Sequence, residues 1–334
     1  MRDKSKKYFW PVAALLFLTV PLFIESNYIL STLIIIGIYA ILVQGLGILM
    51  GYAGQVSFGH AAFFGLGAYT AAILTTRFNW YTIPALVAAA LLPGIVAAII
   101  GRPTLKLREL YLAMATLGFG ILVHIAFNEG GELTGGPSGL SGIPYFSLGG
   151  LTFDSDVKFF YLVWTTLFLL LIGVSNLVRS RVGRALRAIS ESEHAAENAG
   201  IDTAGLKLQS FIFSALLAGL AGGLYAFYIT FISPSPFSFH ASVQFVLMAV
   251  VGGLGTLIGP LLGAALVVTL GEVLRWAIPL AIPGAGGEYQ IIFFGLILVI
   301  LMVFQPGGLG ALGKLLASSK KLPDRGAGAK VSEG

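Results

Sequence analysis

The chain has 334 residues, of which 57% are hydrophobic and only 10% are charged, and its mean hydropathy is +0.90. Soluble domains carry about 25% charged residues, so this composition excludes a soluble protein and predicts an all-α polytopic membrane protein. The net charge of +5 comes from basic residues in predicted loops and does not indicate nucleic-acid binding, and the lack of cysteine excludes disulfides, thiolate zinc sites and iron–sulfur clusters.

Ten apolar stretches follow one another along the chain and are predicted to be membrane-spanning helices. They cover residues 9–25, 28–50, 58–76, 82–101, 110–127, 159–178, 208–232, 242–257, 258–278 and 290–305. Most approach the roughly 20 residues that a helix needs to cross a bilayer. The first stretch could instead be a secretory signal peptide, but Glu25-Ser26-Asn27 follows it in place of a small-residue cleavage site, which favours a span. Residues 1–334 are therefore interpreted as a single integral-membrane domain.

The distribution of charge predicts how these spans are oriented. Lysine and arginine are enriched in cytoplasmic loops, and here they cluster near both termini, near Arg102 and in residues 179–207. We therefore assign residues 1–8, 179–207 and 306–334 to the cytoplasm and the acidic loop 128–158 to the outside, which makes both termini cytoplasmic. Five spans on each side of that outer loop would form an inverted 5+5 repeat, as in many transporters, although the sequence similarity between the two halves is weak.

Glycines, polar residues and one histidine interrupt the apolar pattern between residues 50 and 60. Irregular backbone at membrane depth is tolerated only where it is buried in protein or lines a water-filled cavity. One interpretation is a wall of a translocation path, with candidate residues Gln55, Ser57, Phe58 and His60. The alternative is a short cytoplasmic turn between two spans, with its glycines packed on a neighbouring helix.

A second glycine-rich interruption covers residues 251–260, where Gly252 and Gly253 are further candidates for the translocation path. This segment could be a discontinuous helix at the membrane midplane or a tight turn at the inner surface. On the preceding long span, Ala215, Gly219 and Gly223 recur every four residues, and this spacing predicts close packing against another helix.

Residues 179–207 form the longest polar interruption of the chain. An apolar stripe at helical spacing predicts a short helix here, formed by Ala185, Leu186, Ile189, Ala196 and Ala199. Gly200 is predicted to end that helix in a left-handed conformation, and Asp202 to cap the next one. A helix of this kind suits a groove on another protein, and the alternative is a plain, positively charged cytoplasmic loop.

The segment from Ala195 to Gly200, followed by Leu206 and Phe211, resembles the "EAA" coupling loop of ABC importer permeases. His194 stands where the motif usually has its first Glu, and no Leu-Pro closes it. In that family the loop docks onto the ATPase subunit. The resemblance therefore implies an ATPase-coupling role for the following residues of this chain: Arg184, Ala195, Ala196, Glu197 and Gly200.

Four stretches in order, namely residues 51–60, 111–120, 134–144 and 179–207, are similar to the signature stretches of branched-chain amino acid ABC transporter permeases, and more narrowly of the LivM-like subunits. The similarity extends over roughly residues 30 to 310. It implies a type II-like permease in the bacterial inner membrane that works with a paralogous permease, two cytoplasmic ATPases holding ATP and magnesium, and an extracytoplasmic binding protein. It implies branched-chain amino acids as cargo, with urea or short amides as the alternative because related permeases carry those.

Other motifs in the chain do not predict chemistry of its own. Residues 308–314 match most of a P-loop. However, Leu315 replaces the required Ser or Thr, and a membrane span precedes the motif where a strand should be. ATP is therefore expected to bind to another chain, and no cofactor is predicted for this one. The four histidines are far apart, which argues against a metal site. The sequence also has no cluster of reactive side chains of the kind that would indicate an enzyme. An ion-coupled secondary transporter remains an alternative, although Glu272 and Arg275, the main ionisable residues in a span, are predicted to pair with each other near the outer surface.

Overall fold

The computed structural model describes residues 21, 26–104, 109–281, 287–304 and 308–310. The helices are α1 (Asn27–Gly51), α2 (His60–Thr76), α3 (Thr82–Thr104), α4 (Glu109–Glu129), α5 (Gly131–Thr134), α6 (Asp156–Arg179), α7 (Arg181–Glu191), α8 (Glu193–Asn198), α9 (Thr203–Ile229), α10 (Phe239–Gly252), α11 (Gly259–Ala281) and α12 (Gly287–Phe304). The strands are β1 (Leu140–Ser141), β2 (Ser147–Leu148), β3 (Leu151–Thr152) and β4 (Phe231–Ile232), and two 3₁₀ turns cover Gly136–Ser138 and Ser235–Phe237.

The predicted spans from residue 28 onward each overlap a helix, with bounds that differ by up to five residues, so that residues 253–257 of the predicted span 242–257 form a turn. The predicted span 9–25 lies outside the described residues except for Pro21. In the described part of the chain, six helices are long and apolar enough to cross a bilayer: α1, α3, the 111–129 part of α4, α6, α9 and the 259–280 part of α11. With 14 residues, α10 is an apolar but shorter helix. The polytopic helical architecture is thereby confirmed, while the count of ten spans and the inverted repeat stay predictions.

Helices α1 and α9 form the centre of the bundle. Helix α9 packs on α1, α2 and α3, and α1 also packs on α6 and α11. The crossings bring backbone against backbone: a Cβ on Gly67 would lie 2.2 Å from the Gly219 carbonyl oxygen, and one on Gly222 would lie 2.0 Å from that of Phe64. Close approach of this kind is how helices associate in lipid, where apolar burial alone does not favour contact. The predicted packing face on α9 is confirmed, since Gly219 and Gly223 lie against α3.

The bundle has two ends that differ in structure. We call the end that carries α7, α8 and the turns 52–59 and 253–258 the basic end, and the opposite end the strand end. At the strand end β1 pairs antiparallel with β4 and β2 with β3, so the predicted outer loop 128–158 contains a folded cover over the helices. The Thr82 hydroxyl donates to the Ser147 carbonyl oxygen at 2.8 Å and ties this cover to α3.

The predicted pair on α11 is confirmed at the strand end. Arg275 Nη1 lies 3.6 Å from Glu272 Oε2, and the Tyr28 hydroxyl of α1 donates to the same carboxylate oxygen. The Arg275 side chain is 70% exposed, so the pair lies on the outside of the bundle and not in its core. Beside it, the Lys158 ammonium 2.7 Å from Asp154 holds the pKa of that carboxyl below its usual value.

Candidate functional site

Helix α7 leaves α6 through a sharp turn at Ser180. The Ser180 backbone is extended, which ends α6, and its hydroxyl accepts a hydrogen bond from the Gly183 N–H at 3.4 Å, as an N-cap residue does. A Cβ at Gly183 would lie 2.4 Å from the Val178 carbonyl oxygen, so this close return of the chain requires glycine. Leu186 and Ile189 face the bundle and are buried. The predicted apolar stripe therefore seats α7 on the bundle.

The single short helix predicted for residues 185–199 is wrong: the structure has two helices with a break at Ser192. Ser192 is extended, and its hydroxyl accepts from the Ala195 N–H at 3.3 Å, which ends α7 and caps α8. A serine side chain competes with the helical backbone for hydrogen bonds in this way. Of the predicted stripe, Ala196 is buried, whereas Ala199 is exposed at the C-cap, one residue beyond the end of α8.

The end of α8 is closed as predicted by Gly200, whose φ is +78°. The Ile201 N–H donates to the Ala196 carbonyl oxygen at 3.1 Å and the Gly200 N–H donates to that of Glu197 at 2.9 Å. These two bonds are the Schellman pattern, in which a left-handed glycine satisfies the last helical carbonyls. The predicted cap on α9 is also confirmed, because the Asp202 side chain accepts from the Gly205 N–H at 3.0 Å.

Side-chain contacts hold α8 to the start of α9. Lys207 pairs with Glu193, and the Lys207 side chain is only 11% exposed. The Thr203 hydroxyl donates to Glu197 Oε1 at 2.9 Å. Movement of α8 is thereby linked to α9, the central helix of the bundle. Of the predicted coupling residues, Arg184, Ala195, Glu197 and Gly200 are exposed, while Ala196 is buried and positions the helix.

Residues 52–59, which we call the extended segment, run without helical structure from the end of α1 to the start of α2. Their backbone groups are bonded inside the bundle: the Gln55 N–H donates to the Leu49 carbonyl oxygen at 3.0 Å and the Phe58 N–H donates to Thr116 Oγ1 at 3.1 Å. Thr116 lies about two helical turns, or about 10 Å, into α4. The segment therefore reaches into the bundle, as irregular backbone in a membrane protein can do only when its polar groups find partners.

His60 joins the extended segment to the centre of the bundle. Its Nδ1 lies 3.1 Å from Ser57 Oγ and its Nε2 lies 2.5 Å from Ser214 Oγ on α9, and the side chain is 0% exposed. A neutral imidazole donates through one nitrogen and accepts through the other, and a hydroxyl can serve either role. In this arrangement His60 positions the start of α2. In the part of the chain that the structure describes, no three His, Cys, Asp or Glu side chains could hold a metal ion.

The other predicted path residues in this segment are also packed inside the protein. Gln55 and Ser57 are buried and Phe58 is partly buried. Among the described residues, Gln44 Oε1 and Gln55 Oε1 are buried oxygens without a hydrogen-bond partner. Buried oxygens of this kind are uncommon, and they make this region more polar than a plain helix interface.

Residues 253–258, which we call the glycine turn, connect α10 to α11 by a tight turn. Gly253 has a φ of +106°, and a Cβ on Gly252 would lie 2.1 Å from the Gly259 carbonyl oxygen. The Thr256 hydroxyl donates to the Gly253 carbonyl oxygen at 2.9 Å and accepts from the Gly259 N–H at 3.1 Å. Gly252 is thus packed against backbone in this turn, and Gly253 adopts a positive φ that favours glycine.

The extended segment and the glycine turn meet at the basic end. A Cβ on Gly51 would lie 2.2 Å from the Gly255 nitrogen, and the Tyr52 hydroxyl donates to the Gly255 carbonyl oxygen at 2.9 Å. The residues that join them are Gly51, Tyr52 and Gly255. His60 takes no part in this junction and bonds to Ser57 and Ser214 instead. Tyr52 is not among the candidate residues predicted from the sequence.

Three hydroxyl residues that complete this region were also not predicted from the sequence: Thr116, Ser214 and Ser242. Ser242 Oγ accepts from the Ala61 N–H at 3.1 Å across 181 residues of chain. The available signal was a small polar residue within an otherwise apolar span, but the partner of each residue lies too far along the chain to be identified locally.

Comparison with known proteins places the chain among transport permeases. A family model described as branched-chain amino acid transport system, permease component, matches residues 28–302. The chain is 34% identical over 298 residues to the high-affinity branched-chain amino acid transport system permease protein LivM of Salmonella typhimurium, covering 81% of this chain and 67% of the relative. It is 26% identical over 288 residues to the LivH permease protein of Escherichia coli K12, covering 81% and 91% respectively. No solved structure gives a significant match.

Proposed function

Since the chain belongs to the family of permease components of branched-chain amino acid transport systems, we propose that it is the LivM-like subunit of an ATP-binding-cassette importer for branched-chain amino acids. The observation that carries the coupling part of this proposal is the construction of α8. Its end is fixed by Gly200, its base is tied to α9 by the Lys207–Glu193 pair, and its outer face is left exposed. A short helix seated in this way can transmit force from a partner to the bundle.

The partners follow from the same reasoning. Matches to both LivM and LivH support pairing with a paralogous permease, which would complete the translocation path. We propose that two cytoplasmic ATPase subunits, which supply ATP and magnesium, bind the exposed face of α7 and α8 around Arg184 and Glu197. An extracytoplasmic binding protein would dock on the strand end, including residues 135–144. ATP can drive the cycle only if the partners favour one permease state over another.

The proposed orientation places the basic end in the cytoplasm of a bacterial inner membrane and the strand end outside. The exposed arginines of α7 support it, because basic residues are enriched in cytoplasmic loops. A further crossing by residues 9–25 would make ten spans, put both termini in the cytoplasm and give each half of the chain five spans. This count is the basis for the proposed inverted repeat.

Isolation of the chain with its native partners tests this function. The complex should contain a second permease, an ATPase and a binding protein, and in proteoliposomes it should take up leucine only with ATP. Stimulation of ATP hydrolysis by urea in place of leucine would reassign the cargo to a small amide. Uptake by the chain alone, driven by an ion gradient, would make it a secondary transporter and overturn the proposal.

Gly200 offers a matched pair of variants for the coupling role. At a φ of +78° a side chain costs roughly 1–2 kcal/mol, and most for a β-branched residue, whereas Asn adopts this conformation readily. Gly200→Val should therefore uncouple ATP hydrolysis from uptake without preventing membrane insertion, and Gly200→Asn should stay close to the natural protein. Normal uptake per ATP in Gly200→Val would contradict the assignment of α8.

A further inference from the structure

We propose that Tyr52 is a positioning residue that carries movement of α7 to the glycine turn, and so links the ATPase-facing helices to the interrupted segments of the bundle. This inference rests on the proposed function. Three observations at the basic end support it. The Tyr52 ring contacts α7, the backbone two residues later passes close to α7, and the Tyr52 hydroxyl bonds to the glycine turn.

The ring of Tyr52 contacts α7. The Arg187 guanidinium carbon lies 5.3 Å from the ring centroid, a distance at which a cation is attracted to an aromatic face. Tyr52, Ala53 and Leu186 form a small hydrophobic cluster of their own, separate from the main core, with Val178 and Leu206 packed around it. The residue is therefore packed with the coupling helices, although it directly follows α1.

The backbone near Tyr52 also passes close to α7. A Cβ on Gly54 would lie 3.4 Å from the Cα atom of Ser190, which is an ordinary contact distance. The extended segment thus runs alongside the end of α7, with room for little more than a methyl group between them. A displacement of α7 has to move this segment or open a gap beneath it, and gaps in packed protein are unfavourable.

The hydroxyl of Tyr52 reaches the other interrupted segment. It donates to the Gly255 carbonyl oxygen at 2.9 Å, where the two glycines Gly51 and Gly255 allow backbone to meet backbone. Burial raises the pKa of the Tyr52 hydroxyl, and nearby Arg187 lowers it less, so the hydroxyl stays protonated and able to donate near neutral pH. The ring and the hydroxyl therefore place α7 and the glycine turn in series through a single residue.

Two substitutions break this series at different points. Tyr52→Phe keeps the ring beside Arg187 and removes the bond to Gly255, whereas Arg187→Gln keeps that bond and removes the cation from the ring. In the complete complex, reconstituted with its partner subunits, each change should lower leucine uptake per ATP hydrolysed by about three- to tenfold, the effect of losing one such interaction. The double variant should lose no more than either single one, because both act on the same path. Tyr81→Phe, which removes a hydroxyl from an exposed tyrosine just before α3, is the matched control.

A second measurement distinguishes the transmission of movement through Tyr52 from a role of Tyr52 in stabilising the fold alone. The chain has no cysteine, so spin labels can be placed on Leu254→Cys in the glycine turn and on the exposed Leu148→Cys in β2 at the strand end, which serves as the reference point. ATP should change the distance between these labels in the complex, and Tyr52→Phe should abolish that change. A variant that only lowers the melting temperature but keeps the distance change would refute the relay.

The outcomes distinguish this inference from the function on which it rests. Unchanged uptake per ATP in Tyr52→Phe, or losses that multiply in the double variant, would overturn the relay alone. A natural complex that takes up no leucine with ATP would overturn the proposed cargo, and the label distances would still test the relay because they need only nucleotide.

Discussion

The contact between Gly67 and Gly219 allows a sharp test of the packing that positions the candidate site. Helix α2 carries His60 at its start and crosses α9 at this point. A methyl group on Gly67 would lie 2.2 Å from the Gly219 carbonyl oxygen and 2.6 Å from its Cα atom. Because both obstructing atoms belong to the backbone, no side-chain rotation can relieve the clash. Gly67→Ala must therefore move one helix away from the other.

The magnitude follows from two opposing effects. Overpacking by one methyl group costs about 1–3 kcal/mol, and a clash with backbone belongs at the upper end. Replacing glycine by alanine inside a helix favours the helix by up to about 1 kcal/mol. Gly67→Ala should therefore lower the free energy of unfolding by roughly 2 kcal/mol. Gly173→Ala in α6 is the matched control, since nothing lies within 4 Å of its added methyl group and only the helical preference remains.

Thermal unfolding of the purified chain in detergent, followed by size-exclusion chromatography of the heated samples, measures the difference. Gly67→Ala should melt below the natural chain, and Gly173→Ala should melt at or slightly above it. Equal melting of the two variants would show that α2 and α9 do not cross in backbone contact. The bond between His60 of α2 and Ser214 of α9, which depends on the same crossing, would then be wrong as well.

Two further predictions concern the polar contacts of the site. Ser214→Ala leaves one ring nitrogen of the buried His60 without its partner and should cost about 1–3 kcal/mol, measured as a lower melting temperature; an unchanged melting temperature would argue against this hydrogen bond. Glu193→Gln leaves the Lys207 ammonium, 11% exposed, without its counter-charge, whereas Lys207→Met leaves a carboxylate that is 40% exposed and can be hydrated. Glu193→Gln should therefore be the more destabilising of the two and should speed proteolysis between α8 and α9, and the reverse order would refute the burial of this pair.

Local features of the sequence determined much of the secondary structure. Nine predicted spans overlap helices because an apolar run of about 20 residues is by itself enough to predict a membrane helix. The end of α8 at Gly200 and the cap at Asp202 were predicted because their hydrogen bonds close within a few residues. The break at Ser192 was not predicted, since a serine within a helical pattern either stays helical or caps a new helix depending on the surrounding packing.

What the sequence by itself determined is therefore the membrane class, the positions of most helices, the basic loop 179–207 and its resemblance to ABC importer permeases. Only the tertiary structure decided that the extended segment enters the bundle, that His60 is held by Ser214 and that Tyr52 bonds to Gly255. The physical reason is distance along the chain: these pairs are separated by 154 and 203 residues, and hydropathy or helical spacing reports only on near neighbours. The backbone contacts between glycines on different helices became visible only once the helices were packed together.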